Sequence, residues 1–167
     1  MTRELNKIVA VAVVSLAALT LLVAGCGGPD DPAELFERGE YAESFRIFSE
    51  RAATGDIIAV NYLGMHYYLG AGVARDFGEA ARWFELAALG EHPGAQRNLG
   101  VMYLRGLGVK QDNHQAYGWL YYAREGGNAG AVDYLQLMSD SVTPNAAGVA
   151  RKRVGKRIRD AAAGAGQ

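Results

Sequence analysis

Apolar residues recur at helical spacing through most of this chain. In one stretch, Ala59, Leu63 and Tyr67 follow one another at intervals of four residues, which places them on one face of a helix. This pattern, with its capping residues and glycine stops, predicts helices over about 32–38, 41–54, 57–69 and 76–89, an equivalent pair 36 residues later, and two more over about 129–140 and 144–162. The chain is therefore predicted to be all-α.

Two of the predicted helix pairs repeat each other at an offset of 36 residues. The shared positions are Ala59 and Ala95, Leu63 and Leu99, Gly64 and Gly100, Gly70 and Gly106, Gly72 and Gly108, Val73 and Val109, Asp76 and Asp112, Ala80 and Ala116, Trp83 and Trp119, Ala87 and Ala123, and Gly90 and Gly126. A fixed period of this length predicts a solenoid, in which each unit buries its apolar face only against its neighbours. Residues 32–142 form this array, with a degenerate leading copy and a partial trailing copy, and residues 143–163 are predicted to be a capping helix with a basic face.

Two local features of the repeat carry structural predictions. Gly64 and Gly100 stand inside helices, where glycine costs up to about 1 kcal/mol relative to alanine, so their recurrence predicts a neighbouring helix that crosses too closely for a Cβ. Asp76 with Glu79 is a capping-box pattern, and Asp112 with Gln115 repeats it.

The repeated pattern of alanines, Leu-Gly, Gly-x-Gly-Val, Asp and Trp resembles the SEL-one-like repeat family, relatives of the tetratricopeptide repeats. The resemblance covers residues 57–138 well and 32–55 weakly. It implies antiparallel helix pairs stacked into a right-handed solenoid that serves as a scaffold for protein complexes. Some secreted members of the family have been linked to β-lactam binding, but they carry a cysteine pair in each repeat, and this chain has a single cysteine.

The N-terminus carries the pattern of a targeting signal. Arg3 and Lys7 precede an apolar run over 8–23, whose helical length of about 24 Å falls short of the roughly 30 Å hydrocarbon core of a bilayer. Small residues follow at a cleavage point. The run therefore predicts a removed signal peptide over 1–25.

The end of this segment, Leu22-Val23-Ala24-Gly25-Cys26, resembles the lipobox of bacterial lipoproteins. The resemblance implies lipidation of Cys26, a polar tether over 26–31, and a mature protein held at the membrane and facing the periplasm. Because mature position two is Gly27 and not Asp, the enterobacterial sorting rule implies the outer membrane. The alternative is an ordinary signal peptide or anchor with an incidental cysteine.

Charge and motifs narrow the function further. The formal net charge of −1 gives no reason to expect a nucleic-acid partner. Nucleophile, zinc-protease and paired-cysteine motifs are missing from the sequence, so no catalytic residue, cofactor or metal is predicted. His66, His92 and His114 lie in different elements and are predicted to be surface or cap residues.

The predicted C-terminal helix concentrates positive charge. Its basic face comprises Arg151, Lys152, Arg153, Lys156, Arg157 and Arg159. These residues form either a solvated face or a surface that contacts anionic lipid head groups, cell-wall polymer or an acidic partner.

A partner site is predicted where the repeats disagree. In tetratricopeptide-like pairs the first helix lines the groove, and by this analogy the candidates are Asn61, Met65, Tyr68, Leu69, Arg97, Val101, Leu104, Arg105, Asp133 and Leu137. A residue that serves only packing should recur with the period, whereas a recognition residue need not. The alternative is that surface positions simply drift.

These features together indicate a lipoprotein scaffold or adaptor of the bacterial envelope that binds a protein or peptide. An accessory lipoprotein of a secretion, pilus or polysaccharide-export machine is the alternative. An enzyme of cell-wall or β-lactam chemistry would need a nucleophile or an acid–base pair, and no such spacing occurs.

Overall fold

The computed structural model describes residues 31–165, which form eight α-helices and no strand. The helices are α1 (Pro32–Glu37), α2 (Tyr41–Ala53), α3 (Ile57–Leu69), α4 (Phe77–Leu89), α5 (Pro93–Arg105), α6 (Asn113–Glu125), α7 (Gly130–Leu137) and α8 (Pro144–Gly164). From α1 to α7, each helix packs against the next one along the chain. The predicted all-α solenoid of helix pairs is therefore confirmed.

The repeated turns are built from the residues that recur. The Asp76 and Asp112 carboxylates accept hydrogen bonds from the backbone N–H groups two and three residues later, at 2.8 and 3.0 Å in both cases. Gly70 and Gly106 end α3 and α5 in the left-handed conformation, with φ of 71° and 68°, where glycine carries no Cβ penalty. The same chemistry thus starts and stops the helices of both repeats.

Only one half of the predicted capping box forms in each repeat. The Asp76 N–H donates to the carbonyl of Tyr67 at 3.0 Å, and the Asp112 N–H donates to the carbonyl of Tyr103 at 3.0 Å. Because these N–H groups are already bonded across the loop, the residue three positions later is not needed as a cap. The Glu79 carboxylate instead pairs with Arg82.

The two helix-interior glycines lie where the helices of a pair cross closely, as predicted. A Cβ on Gly64 would lie 2.6 Å from the Phe84 ring, and one on Gly100 would lie 2.8 Å from Leu120 Cγ. Both distances are shorter than non-bonded carbon atoms tolerate, so a side chain at either position would force the pair apart. Phe84 and Leu120 are themselves equivalent, 36 residues apart.

The C-terminal helix does more than cover the end of the array. It packs on α6 and reaches back to α4, so it lies along the second helices of both complete repeats. Val154 and Ile158 join the core cluster that contains Phe84 of the first repeat and Trp119 of the second. Gly118 makes this contact possible, because a Cβ there would lie 2.6 Å from Val154 Cγ2.

His66 is not a surface or cap residue, and that prediction was wrong. Its side chain is fully buried, with Nδ1 2.6 Å from the carbonyl of Ala71 and Nε2 3.2 Å from the hydroxyl of Ser44. Burial lowers the pKa of the imidazole, and the hydrogen bond to Ala71 opposes that effect in part. The leading pair α1–α2 covers this position, and the Phe36 ring lies edge-on at 4.9 Å. The other two predictions hold, since His92 caps α5 through Ala95 N–H and His114 is exposed.

The predicted signal peptide over 1–25, Cys26 and most of the tether lie outside the described residues. Within residues 31–165, no helix combines the length and the apolar character needed to cross a membrane.

Candidate partner-binding groove

A groove of about 280 Å³ opens between the first helices of successive repeats. Its lining residues are Met65, Tyr68 and Leu69 of α3, Phe84 of α4, Arg97, Asn98, Val101 and Arg105 of α5, and Tyr134 of α7. Phe84 is buried and forms the floor. The volume is just below the usual range of small-molecule pockets, so the groove suits one or two side chains of a partner.

The structure brings together most of the residues that the repeat differences singled out. Six of the ten candidates line the groove, namely Met65, Tyr68, Leu69, Arg97, Val101 and Arg105. Their role in binding remains a prediction, but their placement on one surface follows from the stacking of α3 on α5 through α4.

Four of the ten candidates lie elsewhere. Asn61 is only 7% exposed, and its Oδ1 has no hydrogen-bond partner. Asn61 is therefore not an open position of α3, and that expectation was wrong. Leu104 is half-buried against the core of the second repeat. Asp133 is exposed, as is Leu137, but neither lines the groove.

Besides Phe84 at the floor, two groove residues were missed by the sequence analysis. Asn98 and Tyr134 occupy equivalent positions in successive copies, and Tyr62 is their counterpart in the first repeat. Tyr62 stacks on Phe48 of the leading pair, with ring centroids 4.2 Å apart, so it is used in packing. Tyr62 and Asn98 differ at equivalent positions of the two repeats, and the same kind of difference identified Arg97 as a candidate, so Asn98 could have been found in this way.

The polar part of the groove is formed by two arginines. Arg97 Nη2 donates to Oδ1 of Asn98 at 3.0 Å, and its Nε is buried without an acceptor. Arg105 is exposed at the end of α5. Neither makes an ion pair within residues 31–165, and no acidic residue lines the groove. The groove is therefore apolar with an uncompensated positive charge.

The basic face of α8 is a separate surface. Arg151, Lys152, Arg153, Lys156 and Arg159 are exposed, as predicted. Arg157 is not part of that solvated face, which corrects the prediction for this residue. Its guanidinium pairs with Glu85 of α4, lies 3.4 Å from Oε1 of Gln115, and stacks 5.2 Å from the centre of the Trp119 ring.

The described residues hold no cluster of His, Cys, Asp and Glu side chains that could bind a metal ion. His66 and His92 are the histidines with lowered pKa values, and burial is the main cause in both. Each is already engaged in a structural hydrogen bond. The lining of the groove is suited to binding a polypeptide segment.

Comparison with protein families matches residues 57–92 and 93–128 to the Sel1 repeat. The chain carries two consecutive Sel1 repeats. Their bounds coincide with the helix pairs α3–α4 and α5–α6 and with the 36-residue period. No curated protein matches the chain.

Two solved structures extend this similarity. One is c5321, a protective antigen of uropathogenic Escherichia coli that displays an SLR fold, with 27% identity and a TM-score of 0.70 over 77% of this chain. The other is a Sel1 repeat protein from Oxalobacter formigenes, with 27% identity and a TM-score of 0.61 over 64% of this chain. The chain matches only 28% and 44% of their respective lengths. This chain therefore shares its fold with part of each of these longer proteins.

Proposed function

We propose that this protein is a lipid-anchored scaffold of the bacterial envelope whose groove binds a segment of a partner protein. Sel1 repeats commonly serve as protein-interaction scaffolds. The observation that carries the proposal is the groove itself, in which exposed Leu69 and half-buried Met65 and Tyr68 accompany Arg97, which has no ion pair within residues 31–165. Aromatic residues and arginine are the usual anchors of an interface.

Photo-crosslinking in intact cells tests the use of the groove. A benzoylphenylalanine replaces Leu69, which is 55% exposed and lines the groove, or Leu86, which is 51% exposed and does not. We expect a defined crosslinked partner from position 69 only, because only that position lines the groove. The two positions are about equally exposed, so chance encounters should label both to the same extent. The same adduct from both positions, or an adduct that persists at full yield with Tyr68→Ala, Arg97→Glu and Arg105→Glu, would argue against the groove.

The proposed anchor rests on the sequence around Cys26, which is the only cysteine of the chain. Two or three acyl chains would hold the protein firmly, since each buried CH₂ contributes about 0.8 kcal/mol. Labelling cells with an alkyne palmitate tests this proposal, with Cys26→Ala as the comparison. We expect label and outer-membrane fractionation for the natural chain and neither for Cys26→Ala. Equal membrane association of the two forms would show that Cys26 is not the anchor.

A further inference from the structure

The groove of the proposed scaffold has a charge that specifies the chemistry of its occupant. Arg97 and Arg105 both line it from α5, and among the residues that the structure describes no Glu or Asp lines it. By contrast, Arg46 of α2, Arg82 of α4 and Arg124 of α6 each pair with a glutamate on their own helix. The two groove arginines have no acidic partner within residues 31–165, so their guanidinium groups are available to pair with an acidic ligand.

Arg97 is held in a fixed position with one edge left open. Its Nη2 is engaged by Asn98, while Nη1 makes no hydrogen bond within residues 31–165. Gly130 of α7 lies beside that atom, and a Cβ there would come to 3.2 Å from Nη1. Glycine at this position leaves free the space beside Nη1 and Oδ1 of Asn128 that a Cβ would occupy. A planar guanidinium held in this way is suited to a carboxylate, with which it forms charge-assisted hydrogen bonds.

The spacing of the two arginines restricts the occupant further. They stand eight residues apart on α5, which corresponds to about 12 Å along a helix. An extended peptide covers that distance in about four residues. Met65, Leu69 and Val101 form the apolar surface of the groove that lies alongside them.

We propose that the groove binds an extended acidic segment of a partner protein. One Asp or Glu carboxylate of that segment pairs with Arg97, a second, three to five residues away, pairs with Arg105, and an apolar side chain lies against Met65, Leu69 and Val101. This inference rests on the proposed function, because it names the partner chemistry of the same groove.

Selection from a displayed library of random dodecapeptides on the immobilised full chain in detergent tests this inference. We expect wild type to select peptides with two acidic residues three to five positions apart beside a large apolar residue. Arg97→Gln and Arg105→Gln should abolish that preference and weaken binding of a selected peptide about tenfold or more, the loss typical of a charged hydrogen bond. Arg82→Gln removes the same charge from an exposed position outside the groove and should leave selection unchanged.

Variants of the apolar groove residues distinguish a failure of this inference from a failure of the proposed function. If the selected peptides are not enriched in acidic residues but lose binding to the Leu69→Ser variant, the inference is overturned, while the proposal that the groove binds a partner segment is supported. Peptides that bind Leu69→Ser and Tyr68→Ala as well as wild type, or no enrichment at all, would contradict both. Because Arg97 is half-buried, its variant is compared with wild type by urea unfolding, and exposed Arg105 provides the second variant.

Discussion

Trp83 and Trp119 hold the same position in the two repeats, yet Trp119 is fully buried and Trp83 is only half-buried. The difference comes from α8, which packs on the second helix of the second repeat and places Arg157 over the Trp119 ring. In the first repeat the neighbouring position is Arg82, which is exposed, whereas the second repeat has Gly118 beneath α8. Identical packing residues therefore have different environments when a non-repeating element covers one copy.

The largest expected effect comes from removing the two tryptophans in turn. Trp119→Ala should lower the free energy of unfolding by about 3–5 kcal/mol, the usual cost of truncating a buried aromatic residue. Trp83→Ala should cost clearly less, because part of that ring is already in water. Urea unfolding of the two variants measures the difference. Equal losses would mean that α8 does not protect the second repeat.

The comparison of the two copies also explains how far the sequence could predict the structure. Residues on which the copies agree, such as Gly64 and Trp83, serve contacts within and between pairs, and their roles were predictable. His66 and Arg157 were placed wrongly because each contacts a neighbour specific to its place in the array. His66 contacts the leading pair, while Met102 holds the equivalent buried position in the second repeat. A periodic sequence does not reveal which non-repeating helix will lie on it.

The second largest change in the free energy of unfolding is expected where α3 and α4 cross closely. Gly64→Ala should destabilise the protein by about 1–3 kcal/mol, because the new Cβ would lie 2.6 Å from the Phe84 ring. Gly148→Ala is the matched control, since it lies inside α8 with no atom closer than 4.0 Å to a Cβ. That control should be neutral or stabilising, as alanine is favoured in helices. The two variants unfolding alike in urea would contradict the predicted crossing.

The stability of the leading end of the array should depend on pH through buried His66, which has no counterpart histidine in the second repeat. Burial lowers the pKa of His66 below its ordinary value near 6.5. Below that pH the unfolded chain binds a proton that the folded chain resists, so stability should fall as the pH decreases from about 6.5 and be independent of His66 above it. His66→Met, which copies the residue at Met102, should reduce this loss. Since burial also lowers the pKa of His92, some acid sensitivity remains.

Thermal unfolding between pH 5 and 8 measures that difference, with His114→Met as the control because His114 is exposed. An unchanged pH profile for His66→Met would show that the imidazole does not resist protonation in the folded chain. The Tyr41 ring, 6.5 Å away, and Ser44 are the polar neighbours from α2. Neither supplies a negative charge at these pH values, so burial remains the dominant influence on His66.

The smallest expected effect concerns the link between α8 and the first repeat. Arg157→Gln removes the pair with Glu85 and the stacking on Trp119, and should cost about 1 kcal/mol, because both charged groups are partly exposed to solvent. Lys152→Gln on the same helix should cost almost nothing, since Lys152 is exposed and has no ion pair within residues 31–165. Double substitution with Glu85→Gln separates the ion pair from the stacking. If Arg157→Gln costs the same with and without Glu85, the ion pair contributes nothing, and the loss comes from the remaining contacts of Arg157, which include the stacking on Trp119.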